Sequence, residues 1–178
     1  MKYLIYRNDG IGDLIISTPF IQSLKKYDDN AEISLVCSKR NIHYAKLLQK
    51  NNLIDNVLLS IDKGKTFLDF VKMCLYNLRI KPDVTIVLKS SHTNFLSALL
   101  LKAKTVIGTV YINENKITPH KLLNYFLDKN ETIDCRNNFS NSSDILMKDH
   151  YKSLFLKTFN LKKNNYIDNY FKPTISLS

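Results

Sequence analysis

The stretch Tyr3-Leu4-Ile5-Tyr6-Arg7-Asn8-Asp9-Gly10-Ile11-Gly12-Asp13-Leu14-Ile15-Ile16-Ser17-Thr18-Pro19-Phe20-Ile21 decides how this chain reads. Residues 3–6 are a short aliphatic and aromatic run that suits a strand. Residues 7–13 are a polar turn with two glycines. Leu14, Ile15, Phe20, Ile21 and Leu24 then recur at helical spacing. Strand, glycine-bearing turn and helix in that order open a βαβ unit. Pro19 interrupts the helical pattern. It lacks a donor and pushes Thr18 away from helical conformation, so the sequence predicts either a kink or a second segment capped by Thr18.

Outward from this stretch the same alternation repeats. Residues 32–37, 56–60, 84–88 and 105–108 read as strands. Residues 41–50, 67–78 and 94–102 read as helices. The run Val84-Thr85-Ile86-Val87-Leu88 is almost continuously apolar, as a parallel strand covered on both faces would be. Alternation of this kind predicts an α/β fold: a Rossmann-like parallel sheet with helices on both faces and right-handed crossovers. Beyond Gly108 the pattern weakens. Residues 119–127 and 144–159 look helical, and 132–143 look like a polar loop. Residues 1–171 are read as one domain. Lys172-Pro173 before Thr174-Ile175-Ser176-Leu177 looks like another strand opening, so 172–178 is read as the start of a truncated C-terminal domain.

Composition sets outer bounds. At 178 residues the chain holds one α/β domain and a tail. Its net charge of +10 suits an anionic partner. The lysines are scattered, without the arginine–aromatic interleaving of nucleic-acid modules, so no nucleic acid is expected. Cys37, Cys74 and Cys135 fit neither a metal site nor a disulfide framework, which points to a reducing compartment. The N-terminal apolar run is too short for a signal peptide, so a cytoplasmic location is expected.

In an open parallel sheet, ligands bind beyond the carboxyl ends of the strands, where strand order reverses. Strands one and four should flank that crevice, so the loops 7–13 and 89–93 should face each other. Gly10 and Gly12 permit a tight turn and close approach of a ligand to backbone. A third glycine is absent, and Asp13 stands where a pyrophosphate wants no negative charge, so no dinucleotide cofactor is expected. Asp13 itself has two readings. It is a helix N-cap, or it is a general base that accepts a proton late in a reaction. Asp9 is the second candidate base, or a turn residue. Lys89 offers a positive charge to a phosphate and Ser90 a hydrogen bond; the alternative reading is a solvated loop in which Ser91 or Thr93 caps the next helix. Asn8, Gly10, Gly12, Lys89, Ser90 and His92 form the expected ligand-binding set. His92, His120 and His150 share no spacing, so no metal site is expected.

The residues from Leu4-Ile5-Tyr6-Arg7 through Gly10-Ile11-Gly12-Asp13 to Ser17-Thr18-Pro19 and Leu24-Lys25-Lys26 resemble the opening of the lipopolysaccharide heptosyltransferases, glycosyltransferase family nine. Looser matches follow in order. They are Ala31-Glu32-Ile33, Ile54-Asp55-Asn56-Val57, Lys81-Pro82-Asp83, Lys104-Thr105-Val106-Ile107-Gly108, and His150-Tyr151 leading to Phe159-Asn160-Leu161. The resemblance implies one half of a GT-B fold, whose two Rossmann-like domains face across a cleft. It implies that the N-terminal domain binds a phosphorylated glycolipid acceptor, with peripheral contact to the inner membrane surface. It implies a C-terminal domain for an ADP-heptose-like donor, and inverting transfer without a metal or cofactor. The family's catalytic aspartate falls on Asp13.

Three departures stand out. The loop after strand four lacks the arginine often found there, the region after Gly108 matches poorly, and no second domain follows. The isolated chain is therefore expected to be inactive as a transferase. The alternative is an inactive, truncated or glycan-holding Rossmann-like domain. A receiver domain is disfavoured, because strand three ends in Leu58-Leu59-Ser60 and no lysine follows strand five.

Overall fold

The structure, a computed structural model, describes residues 1–60, 66–113, 116–134 and 147–161. Its elements in order are β1 (Lys2–Tyr6), α1 (Ile11–Tyr27), β2 (Glu32–Cys37), α2 (Ile42–Lys50), β3 (Asn56–Leu59), α3 (Phe67–Leu78), β4 (Val84–Val87) and α4 (His92–Leu100). β5 (Thr105–Asn113), β6 (Lys116–Thr118), α5 (Lys121–Tyr125), β7 (Lys129–Asp134) and α6 (Met147–Phe159) complete it.

β1 lies at the centre of a seven-stranded sheet of order β3-β2-β1-β4-β5. β1 to β5 pair in parallel, and β7 adds a further parallel strand along β5. β6 folds back antiparallel on the end of β5, from Tyr111↔Thr118 to Asn113↔Lys116. The parallel strands thus follow the doubly wound order, and the chain reverses direction across the sheet between β1 and β4. The α/β expectation is borne out.

The sheet is buried on both faces. Tyr3, Leu4, Ile5 and Tyr6 are all 0% exposed. Successive side chains of a strand point to opposite faces, so β1 feeds two cores. Tyr3 and Ile5 join Ile33, Leu35 and Ile86 beneath α1, α2 and α6. Leu4 and Tyr6 join Val36, Val87 and Val106 beneath α4. On that second face Tyr6 Oη and Ser97 Oγ share a 2.7 Å hydrogen bond, and Asn77 of α3 donates to Tyr6 Oη at 3.3 Å.

α1 is one continuous helix with Pro19 inside it. Neither the second segment nor the Thr18 cap forms. Thr18 is buried mid-helix, and its hydroxyl donates to the Leu14 carbonyl at 3.0 Å. The carbonyl that Pro19 leaves without its helical donor belongs to Ile15, a residue 46% exposed and within reach of water.

α6 packs along α1 through rings. Tyr27 meets Phe159 at 4.2 Å and Phe155 at 5.7 Å, and Phe20 meets Phe155 at 6.1 Å and Tyr151 at 6.2 Å. This docking carries Tyr151 to the head of the sheet.

The weakest sequence reading was after Gly108. β5 runs on to Asn113, and β7 occupies 129–134, where part of the polar loop was expected. β7 exists by pairing with β5 in register from Ile107↔Lys129 to Ile112↔Asp134. Strand formation at such a position depends on the neighbouring strand more than on intrinsic preference. Residues 135–146 and 172–178 lie outside the described residues, as does Cys135. Cys37 and Cys74 are free and buried.

Candidate active site

The two loops predicted to face each other do so. Arg7 extends the β1 ladder by one residue, its amide donating to the Val36 carbonyl at 2.9 Å. Across the crevice, the amides of Leu88 and Lys89 both donate to the Tyr6 carbonyl at 3.1 Å. Asn8 and Asn94 then exchange hydrogen bonds of 3.0 and 2.9 Å, and Asn94 Nδ2 also donates to the Lys89 carbonyl at 2.9 Å. Ser91 caps α4, its hydroxyl accepting from the Asn94 amide at 3.2 Å.

The centre of the site is Arg7, whose side chain is 3% exposed. Its Nε donates to the Asp13 carbonyl and its Nη1 to the Leu88 carbonyl, both at 3.1 Å. Nη1 also lies 3.2 Å from Asp9 Oδ2, and Nη2 lies 3.4 Å from Asp13 Oδ1. The Tyr151 ring lies against the guanidinium, 5.8 Å from centroid to Cζ. A buried guanidinium is tolerated only when its donors are so occupied.

The two aspartates differ sharply in exposure. Asp9 is 13% exposed. Its Oδ1 has no hydrogen-bond partner among the described residues. Burial pushes the Asp9 carboxyl above the usual range, against the pull of Arg7; Asp13 adds to the rise and Lys89, 4.0 Å away, opposes it. Asp13 is 50% exposed. It does not stand at the N-cap of α1. Gly10 holds that position, and Asp13 sits three residues on, its Oδ2 accepting from the Gly10 amide at 3.2 Å. This is one half of a capping box, since glycine has no side chain to return the bond. One Asp13 oxygen thus serves the helix start from its third residue while the other meets Arg7, and half the side chain faces solvent.

The glycines act here mainly by leaving room. A Cβ on Gly10 would stand 3.1 Å from Asp13 Oδ2, whereas one on Gly12 would meet nothing within 4 Å. The flank of Asp13 is thus open to a ligand.

The structure brings Asn8, Asp9, Gly10, Gly12, Asp13 and Lys89 to one end of the sheet. Ser90 is buried beside them. His92 is exposed in the first turn of α4 and bonds to neither aspartate. Three residues with structural weight were not singled out beforehand: Arg7, Asn94 and Tyr151. Arg7 did leave a signal, a charged residue running straight on from four buried apolar ones, with aspartates two and six positions later. Among the described residues no group of three or more His, Cys, Asp or Glu could hold a metal. None of the described helices is long and apolar enough to cross a membrane.

No protein-family model matches the sequence, and no curated protein matches it. Solved structures do match by shape. A glycosyl transferase family 9 structure from Veillonella parvula DSM 2008 superposes with a TM-score of 0.64 at 18% identity, over 92% of this chain and 42% of that one. The E. coli heptosyltransferase WaaC with ADP gives 0.63 at 12% identity, over 93% of this chain and 49% of that one. WaaC with ADP-2-deoxy-2-fluoro heptose gives 0.59 at 12% identity, covering 99% and 56%. This chain therefore spans about half the length of these proteins. Its sheet order and these superpositions together show that it has a Rossmann-like fold of the kind that makes one half of a GT-B glycosyltransferase.

Proposed function

We propose that this chain is the acceptor-binding half, residues 1–171, of an inverting, metal-independent glycosyltransferase. It works with a nucleotide-sugar donor, ADP-heptose or a relative, and a phosphorylated glycolipid acceptor of lipopolysaccharide-core type. Asp13 is its general base. The observation that carries this reading is the placement of Asp13: half-exposed, beyond the carboxyl end of the central strand, held from behind by buried Arg7.

In the reaction, Asp13 takes the proton of an acceptor hydroxyl as the oxygen attacks the anomeric carbon. The new C–O bond forms opposite the leaving nucleoside diphosphate, which departs with its bonding pair, so configuration inverts. Lys89, 43% exposed at the rim, faces the acceptor's phosphate. The donor is held by a second half outside these residues. A cytoplasmic setting, with peripheral contact at the inner membrane surface where such acceptors lie, fits this reading.

Two measurements test it. The first is calorimetric binding of a phosphorylated lipid A–inner core acceptor to the 178-residue chain. The second is transfer from ADP-heptose by a polypeptide that carries these residues together with a donor-binding half. Asp13→Asn should bind acceptor normally and lose about 10²–10⁴-fold in transfer. Retained transfer in that variant would sink the base assignment. Acceptor binding with no transfer by the wild-type polypeptide would favour a glycan-holding domain.

A further inference from the structure

We infer that Arg7 is the positioning residue that aims Asp13, and that Asp9 is the buried counter-charge that keeps Asp13 free to accept a proton. This rests on the reading of Asp13 as the base.

The guanidinium grips Asp13 twice. Nε holds its backbone carbonyl at 3.1 Å, and Nη2 meets its carboxylate at 3.4 Å. The other side of the same group is fixed by the Leu88 carbonyl and by the Tyr151 ring of α6. Arg7 thus ties Asp13 to Leu88, the residue after β4, and to α6. Helix capping does not require this, because the Gly10 amide already meets Asp13 Oδ2. A lysine has one compact charge in place of a planar fork and makes only part of this set.

Asp9 is difficult to explain as mere structure. Buried polar atoms are nearly always paired, yet Asp9 Oδ1 has no partner among the described residues. Its other oxygen lies on Arg7 Nη1. The charge count gives that contact a purpose. With Asp9 present, the Arg7 charge is shared between two carboxylates, and its contact with Asp13 is the longer of the two, 3.4 Å against 3.2 Å. Without Asp9, Arg7 has Asp13 as its only carboxylate partner among the described residues and draws it into a tighter pair. A carboxylate held that way is a weaker base. Among the described residues, the other charged or titratable groups facing the cluster are Lys89 after β4 and Tyr151 of α6, with Tyr111 of β5 and His150 of α6 beside Tyr151.

The test is the kcat–pH profile of the transferring polypeptide, with variants at both positions. Arg7→Met should lower kcat roughly 100-fold while the acceptor KM stays within about threefold, because the base is misplaced but the acceptor still binds. Its acid limb should move to higher pH, since a cation that favours the carboxylate is gone. Arg7→Lys should recover part of kcat. Asp9→Asn should also lower kcat, but its acid limb should move to lower pH. Acid limbs shifted the same way in both variants, or an unchanged kcat in folded Arg7→Lys and Asp9→Asn, would overturn the inference. If Arg7→Met does not fold, Arg7→Lys and Asp9→Asn still decide it. Should Asp13→Asn retain transfer, the base reading itself fails. Should Asp13→Asn be inactive while the Arg7 and Asp9 variants keep wild-type profiles, only the present inference fails.

Discussion

Asn8 and Asn94 hold each other by two reciprocal hydrogen bonds, 3.0 and 2.9 Å long, although 86 residues separate them in the chain. The pair closes the crevice between the loop after β1 and the start of α4. Asn94 is 1% exposed, and its amide nitrogen also bonds the Lys89 carbonyl. Asn94→Leu removes these bonds and leaves Asn8 and that carbonyl unpaired. The expected loss of stability is about 2–4 kcal/mol, read from the urea midpoint.

Gly108 of β5 lies against Phe95 of α4. A Cβ there would stand 2.6 Å from Phe95 Cζ, and Phe95 is fully buried. Gly108→Ala should therefore destabilise by about 1–3 kcal/mol through overpacking. Phe95→Leu in the same molecule should recover part of that loss. A double variant whose loss equals the sum of the two singles would show that the clash is not the cause.

The ring cluster between α1 and α6 predicts that the site depends on a helix far from it in sequence. Phe155 is 1% exposed and meets Phe20, Tyr27 and Phe159. Phe155→Ala should cost about 3–5 kcal/mol. It should also raise amide exchange along α6, the helix that carries Tyr151 to Arg7.

Helix α4 is followed by Lys102 with φ of 50°, a left-handed conformation that penalises a side chain bearing a Cβ. Lys102 is exposed. Lys102→Gly should stabilise the fold by about 0.5–1 kcal/mol, visible as a higher melting temperature.

Acid should weaken the fold through Asp28 and Asp83. Burial of Asp28 pushes its carboxyl up, but the N-terminal ammonium at 2.9 Å, the Asn30 amide and the Tyr3 hydroxyl outweigh that and hold it below the usual range. Asp83 is lowered by the Lys2 amide and by Lys104. A carboxyl lowered in the folded state gives stability that is present above its unfolded pKa, about 3.9. That stability is lost as pH falls through the lower folded value. Asp9 runs the other way. Its raised carboxyl favours the fold below about pH 3.9, and that contribution disappears as pH rises through the folded value. Asp28→Asn should thus be less stable than wild type at pH 7, with the gap closing near pH 2. A gap unchanged between those two pH values would refute the assignment.

Much of this was legible in the sequence. The bounds of β2 and α3 matched their predicted spans, and β1 to β4 followed their apolar runs closely. Periodicity and turn residues are local properties, and they encode such elements directly. The loop pair was legible too, because a parallel sheet fixes where its crevice opens. The polar stretch of β7 could not be read as a strand, since its conformation comes from pairing with β5.

By itself, then, the sequence determined the alternation of strands and helices, the position of the glycine turn, and Asp13 as a residue with two alternative readings, helix cap or base. Only the tertiary structure decided that Gly10, not Asp13, is the N-cap of α1 and that the Arg7 guanidinium meets the Asp13 carboxylate. The physical reason is distance along the chain. The Arg7 guanidinium is buried against Leu88, 81 residues away, and beneath Tyr151 of the last described helix. No local pattern specifies such neighbours; they follow from strand order and from burial on both faces of the sheet.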